Sequence, residues 1–177
     1  MIDQTILEAC VYVTTHKKLN EGSASGKWLK LSDYIEIDEF YEACAELHDD
    51  EEDPEFMFQH YEHIPEGLIS DFWISDGIFE AIEAIEDMDK DQREPFLIWC
   101  NNSHKDLAKE DIYDLISDFK IEYIGKYISK EDFARELIGE RTDLTDFARE
   151  YFDYEAYAYD LFRGNYWSEG RYVFCIA

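Results

Sequence analysis

Residues 37–47 read IDEFYEACAEL, and the chain continues through 48–61 as HDDEEDPEFMFQHY. From Ile37 the apolar side chains Phe40, Tyr41, Cys44 and Leu47 recur at the 3.6-residue period, and Glu36, Glu39, Glu42 and Glu46 share the opposite side, which predicts an amphipathic helix. Asp49, Asp50, Glu51, Glu52 and Asp53 follow, five consecutive acids. By itself such a run is more often a solvated loop than a site. Phe56 to Tyr61 then reads as a strand. Upstream, Ala9–Thr15 and Lys27–Leu31 read as short strands, joined by a loop holding Asn20, Gly22, Ser23, Ser25 and Gly26. A small antiparallel sheet with one helix is therefore expected over residues 1–67.

Further along, the pattern turns helical. Phe79, Ile82, Ile85 and Met88 form one stripe with Glu80, Glu83, Glu86 and Asp87 opposite, and a second helix holds Phe96, Leu97, Trp99 and Cys100. Residues 68–107 thus read as a purely helical middle module. Residues 108–177 read as a mixed unit. It has a helix through Ile112, Leu115, Ile116 and Phe119, a strand from Ile121 to Tyr127, and Ser129 capping a helix through Phe133, Leu137 and Ile138. A further helical stretch passes through Phe147, Tyr151 and Phe152, and the end is a hairpin of Tyr166, Trp167, Tyr172 and Phe174 turning at Glu169 and Gly170. The expected class is α+β, with three small modules in a row.

Charge is placed as well as abundant. The chain carries 43 acidic and 16 basic side chains, a formal charge of −27, yet the 59 residues from Leu31 to Asp89 hold 21 Asp and Glu and no Lys or Arg. Two carboxylates about 6 Å apart repel by roughly 0.7 kcal/mol even at the dielectric of bulk water. Proteins normally dilute such repulsion with Lys and Arg. Acidic excess alone suggests disorder, but 46% hydrophobic and 16% aromatic residues are enough to build cores. A surface this negative does not suit nucleic acid or anionic lipid, both of which need positive charge to displace counterions. The expected partner is basic.

Met1 to Val13 has no basic flank and carries Asp3 and Glu8, unlike a signal peptide, and no apolar stretch reaches the roughly 18 residues of a membrane span. A soluble, cytoplasmic protein is expected. Cys10, Cys44, Cys100 and Cys175 are widely spaced in apolar settings and read as reduced, buried thiols. No phosphate-binding loop, dinucleotide fingerprint, nucleophile elbow or zinc-helix motif occurs. His60 and His63 have a metal-like spacing, but in a strand they point to opposite faces with no third ligand evident nearby. Neither a metal nor a cofactor nor a catalytic residue is expected.

Three segments carry a family likeness. Leu19-Asn20-Glu21-Gly22 followed by Gly26-Lys27-Trp28 resembles the N-E-G…G-x-W signature that opens the ArdA antirestriction proteins. The run from Tyr123 through Gly125, Tyr127, Ser129, Glu131, Asp132 and Phe133 to Ala134 resembles that family's Y-x-G-x-Y-x-S-x-E-D-F/Y-A motif. Tyr151 to Leu161, with Asp153, Tyr154, Glu155, Tyr157 and Asp160, is similar to its Y-F/I-D-Y-E-A-Y/F-A-R-D-L block. Tyr159 stands where that block has Arg. Length, block order and acidity agree across essentially the whole chain, more loosely over 66–107.

The resemblance implies a protein without an active site, carried by mobile elements, that occupies the DNA-binding groove of type I restriction-modification enzymes by imitating duplex DNA. The contacts would be to the DNA-recognition and modification subunits, and modification could be inhibited along with restriction. The implied fold is an elongated array of three domains, homodimeric through the C-terminal one. On that reading Asp33, Glu36, Glu39, Glu42, Glu46, Asp49 to Asp53, Glu80, Glu83, Glu86 and Asp87 stand in for phosphates. Tyr154, Tyr157 and Leu161 are the candidates for the dimer contact. Two other classes share the composition: an acidic protein sequestering a different basic DNA-binding protein, and a carboxylate hydrolase, for which no single acid stands out.

Overall fold

The computed structural model describes residues 8–22 and 25–176, so expectations placed on Asp3 and Ser23 lie outside the described residues. The chain divides into two compact units, Met1–Leu115 and Ile116–Ala177.

In the first unit, β1 (Cys10–Thr15), α1 (His16–Asn20) and β2 (Lys27–Lys30) lead through a 3-10 turn at Leu31–Asp33 into α2 (Ile37–Leu47) and β3 (Phe56–Glu62). The strands form an antiparallel sheet in the order β2-β1-β3. Strand alternation sends Val11 and Val13 to one face, where they are fully buried with Leu29, Phe58, and Phe40 and Cys44 of α2. The Phe40 and Phe58 rings lie 6.1 Å apart. Burial of a Phe side chain is worth about 1.5 to 3 kcal/mol. The helix predicted over 37–47 and the strand predicted from Phe56 are both present.

The connection from β1 to β2 is not only a loop. Thr15 accepts a hydrogen bond from the Lys18 N–H at 3.2 Å and so caps α1, and Gly22 closes that helix at φ +69° with its N–H on the Leu19 carbonyl. Five residues are too few for a periodic stripe to show. Nor is the middle segment purely helical: β4 (Ile69–Ser70) and β5 (Trp73–Ile74) pair as a two-stranded ladder before α3 (Ile78–Glu86) and α4 (Lys90–Asn102). Strands of two residues leave no alternation to read. The buried stripe of α3 is Ile78, Ala81, Ala84 and Ile85, while Phe79 and Ile82 are half-buried. The small alanines, not the larger Phe79, meet the core. Then α5 (Ile112–Glu122) buries Ile112, Leu115, Ile116 and Phe119 as predicted, and the division between units falls within it.

The second unit continues with β6 (Tyr123–Lys126), α6 (Lys130–Gly139), α7 (Asp146–Glu150), α8 (Tyr154–Gly164), β7 (Tyr166–Glu169) and β8 (Tyr172–Cys175), the strands ordered β6-β8-β7. Phe119, Phe133, Ala134, Ile138, Ala158, Val173 and Phe174 are buried in it. Ser129 caps α6 by accepting from the Asp132 N–H at 3.1 Å, as expected. The strand starts at Tyr123 rather than Ile121, because α5 runs on to Glu122 and leaves Ile121 exposed. The helix expected through Phe152 stops at Glu150 and restarts at Tyr154, where Asp153 accepts from the Ala156 N–H at 2.9 Å. The terminal hairpin pairs Glu169 with Tyr172, so its turn is Gly170-Arg171, with Gly170 at φ +58°. Among the described residues no helix is long and apolar enough to cross a membrane.

Candidate functional site

The lysine-free stretch puts its carboxylates outside. Of the 21 acids between Leu31 and Asp89, all are exposed except Glu39, Glu51 and Glu86. Along α2 the apolar stripe turns inward, which leaves Glu42 and Glu46 in solvent one turn apart, where neighbouring Cβ atoms are about 5 to 6 Å apart, with Glu36 exposed at the N-cap. Glu39 folds back instead, and its Oε2 accepts from the Ile35 N–H at 2.8 Å, closing the start of the helix. Asp33 lies just before α2, and Glu80, Glu83 and Asp87 are exposed on and just after α3. The arginine nearest that end, Arg93, donates to the backbone carbonyls of Glu86 and, at 3.2 Å, Met88. It satisfies the helix terminus, and the Glu80 and Glu83 carboxylates stay outside.

The run of five acids is anchored from below. Lys18 Nζ lies 2.6 Å from Asp50 Oδ1, 2.9 Å from His48 Nδ1 and 3.6 Å from Glu51 Oε1, and the Thr15 hydroxyl donates to Glu51 Oε1 at 2.7 Å. The Glu51 side chain is 7% exposed. The His48, Asp50 and Glu51 ligand atoms lie within 4.8 Å of one another, a spacing suited to a cation, and the Lys18 ammonium fills that role. One lysine from α1 therefore holds two of the five acids, while Asp49, Glu52 and Asp53 point into solvent. Sequence reasoning missed this residue. The clue available was a Thr-x-x-Lys step at the end of β1, which carries little specificity.

Where an acid's proton affinity moves, it moves down. Hydrogen bonds from Lys18, Lys109 and Arg141 hold Asp50, Asp106 and Asp143 below the usual carboxylate range. A general acid needs the opposite shift. Burial pushes the Cys44 and Cys100 thiols up to about 12 and raises Cys10 as well, which keeps them protonated rather than nucleophilic. His60 lies in β3 and His63 beyond its end, at φ +60°.

The motif residues build the scaffold. Asn20 ends α1, Glu21 follows as its cap, and Gly22 supplies the left-handed turn. Gly26 donates its N–H to the Tyr12 hydroxyl at 3.1 Å, and Trp28 meets the Tyr12 ring edge-on at 5.7 Å. Tyr123 stacks on Phe119 at 5.0 Å, and Gly125, at φ +156°, lies where the β6 register shifts against β8. Tyr127 donates to Glu136 Oε1 at 2.8 Å, and burial with that bond pushes its phenol up to about 12. Ser129 and Asp153 are helix caps, Glu155 lies in the first turn of α8, and Asp160 is exposed.

The dimer candidates are half-buried within their own unit. Tyr154 donates to the Arg149 carbonyl at 3.0 Å under the Arg135 guanidinium, Tyr157 packs on Phe152 at 5.4 Å, and Leu161 shares their side of α8. Tyr159 is 63% exposed with Arg163 over its ring, so the change from Arg falls on the surface.

The family model described as "Antirestriction protein (ArdA)" matches residues 11–173. No curated protein matches the chain.

Proposed function

The chain belongs to the ArdA family of antirestriction proteins, and from that membership we propose that it acts by imitating duplex DNA in the DNA-binding groove of a type I restriction-modification enzyme. The observation that carries this reading is the outward display of carboxylates from Asp33 to Asp87 with no Lys or Arg among them. Duplex DNA presents about one charge per 1.7 Å of axis, so a charge of −27 corresponds to roughly 46 Å of duplex. A groove that releases counterions from phosphates releases them equally from fixed carboxylates. Because α2 and α3 are already folded, little order is lost on docking. Carboxylates carry no base sequence, so one mimic serves against enzymes that read different sites.

The phosphate substitutes on this reading are Asp33, Glu36, Glu42, Glu46, Asp49, Glu52, Asp53, Glu80, Glu83 and Asp87. Glu39, Asp50, Glu51 and Glu86 add field while also serving the fold. We read three modules, 1–67, 68–107 and 108–177, with a homodimer formed through the last by Tyr154, Tyr157 and Leu161 in a cytoplasmic protein that catalyses nothing. Competition tests the central claim: the purified protein is titrated into a type I enzyme bound to labelled target DNA at two salt concentrations. Stoichiometric displacement that weakens at higher salt is the expected result. Failure to displace by a folded protein would leave an acidic decoy for some other basic protein.

A further inference from the structure

The outer face of the N-terminal sheet carries an aromatic row. Tyr12 on β1 lies opposite Trp28 on β2 and opposite His60 on β3, with ring centroids 5.7 and 6.2 Å away. Val11 and Val13 turn into the core, so alternation places these three rings together on the other side. Trp28 is 42% exposed and Tyr61 38%. Beside the row an open pocket of about 360 Å³ is lined by Trp28, Gln59, His60, Tyr61, Glu62 and Asp71.

Local sequence shapes this pocket. A Cβ at Gly26 would lie 2.5 Å from the Tyr12 ring, so glycine is what lets the chain come close enough for the hydrogen bond to the Tyr12 hydroxyl that braces the row. The β1–β3 register shifts between Tyr12 and Val13, leaving Gln59 as the extra residue of a bulge that twists β3 at the pocket wall. Asp71 arrives from the turn between β4 and β5, held by its carbonyl accepting from the Phe58 N–H at 2.9 Å. Lys30 is the basic residue on this face, across Cys10 from Glu62 and outside the pocket lining.

We propose that this pocket receives an arginine side chain of a basic protein partner. Two carboxylates alone would accept any cation, and rings alone any apolar group. Together they select a guanidinium, which is planar and weakly hydrated, stacks on ring faces and bonds a carboxylate with two parallel N–H groups. Indole is the best ring for such a cation. Five of the six lining residues come from the lysine-free stretch between Leu31 and Asp89, whose negative charge raises the local concentration of cationic groups. The partner's identity rests on the reading of the protein as a DNA mimic, whereas the choice of arginine rests on the pocket. The G-x-W signature would then support a specific anchor within an otherwise distributed surface.

The first test needs no restriction enzyme. N-acetylarginine amide and N-acetyllysine amide are titrated separately into the full-length, isotope-labelled protein, and the Trp28 indole N–H and the Glu62 and Asp71 amides are followed by NMR. Arginine should move all three in the millimolar range, lysine should move them by about a tenth as much or less, and the double variant E62Q/D71N, altered only at exposed side chains, should abolish the response. Equal responses to both amides, or an unchanged response in the double variant, overturn the pocket whatever the protein inhibits. In the competition assay, W28A/E62Q should lose about tenfold or more in affinity for the enzyme, with a wild-type spectrum elsewhere. Wild-type affinity in that variant would overturn the pocket's use by this partner while leaving mimicry standing.

Discussion

The ammonium of Lys18 stands 2.9 Å from Nδ1 of His48, a ring with 1% of its surface exposed. Lysine can only donate, so Nδ1 accepts and the ring proton sits on Nε2, which is buried. A second positive charge here would be desolvated and would face Lys18. The same ammonium binds Asp50 and Glu51, so a neutral histidine and an acidic loop share one counter-charge.

That arrangement makes stability depend on pH. Burial, followed by the Lys18 charge, lowers the His48 proton affinity below its ordinary value of 6.5. The unfolded chain therefore takes up a proton before the folded one does. Stability is complete above pH 6.5 and falls as pH drops below it, flattening once the folded ring also titrates. Denaturation midpoints between pH 7.5 and 5 should fall for the wild type, and His48→Gln should remove part of that slope. Parallel slopes would show that His48 is not the group.

Thr15 joins the cap of α1 to the acidic run, accepting from Lys18 N–H and donating to Glu51. Thr15→Val keeps the shape and loses both bonds, with Glu51 left under-satisfied at 7% exposure. A loss of about 2 kcal/mol is expected in urea titrations. The m value should not change.

Charge on the outer surface should act collectively. Reversing any one of Glu36, Glu42, Glu46, Glu80 or Glu83 should change inhibition by less than about tenfold, whereas neutralising about six together should abolish it and flatten its salt dependence. A single Glu→Gln that eliminates inhibition in a folded protein would contradict distributed mimicry.

Alanine at Tyr154, Tyr157 and Leu161 together should shift the molecular mass by light scattering from dimer to monomer. These side chains also pack within their own unit, so the variant must keep its circular dichroism spectrum for the result to count. A folded variant that remains dimeric would move the contact elsewhere.

His104 follows the last turn of α4 at φ +54°, with the Lys105 N–H on the Cys100 carbonyl at 2.9 Å. This is the left-handed position that helices usually give to glycine. His104→Gly should stabilise the protein by about 0.5 to 1 kcal/mol, measured by chemical denaturation.

The helix over 37–47, the strand from Phe56, the Ser129 cap and the terminal hairpin were legible because each is encoded by neighbours in the chain: a 3.6-residue stripe, an aromatic run, a hydroxyl three residues before an N–H, a glycine in a tight turn. Charge placement was legible for the same reason, since a residue's sign does not depend on its contacts. The short ladder at Ile69–Ile74, the burial of alanines rather than Phe79 along α3, and the halt of α7 before Asp153 were not, because packing and capping decide them. Tertiary structure alone drew Lys18 to Asp50 and Glu51 across more than 30 residues, turning part of the acidic run inward. It also brought Trp28, His60 and Asp71 to the rim of one pocket. Sequence by itself determined that this surface is negative; only the folded chain decided which carboxylates stay free to face a partner, because that depends on which of them the fold's own donors reach, the Lys18 ammonium, the Thr15 hydroxyl and the Ile35 N–H among them.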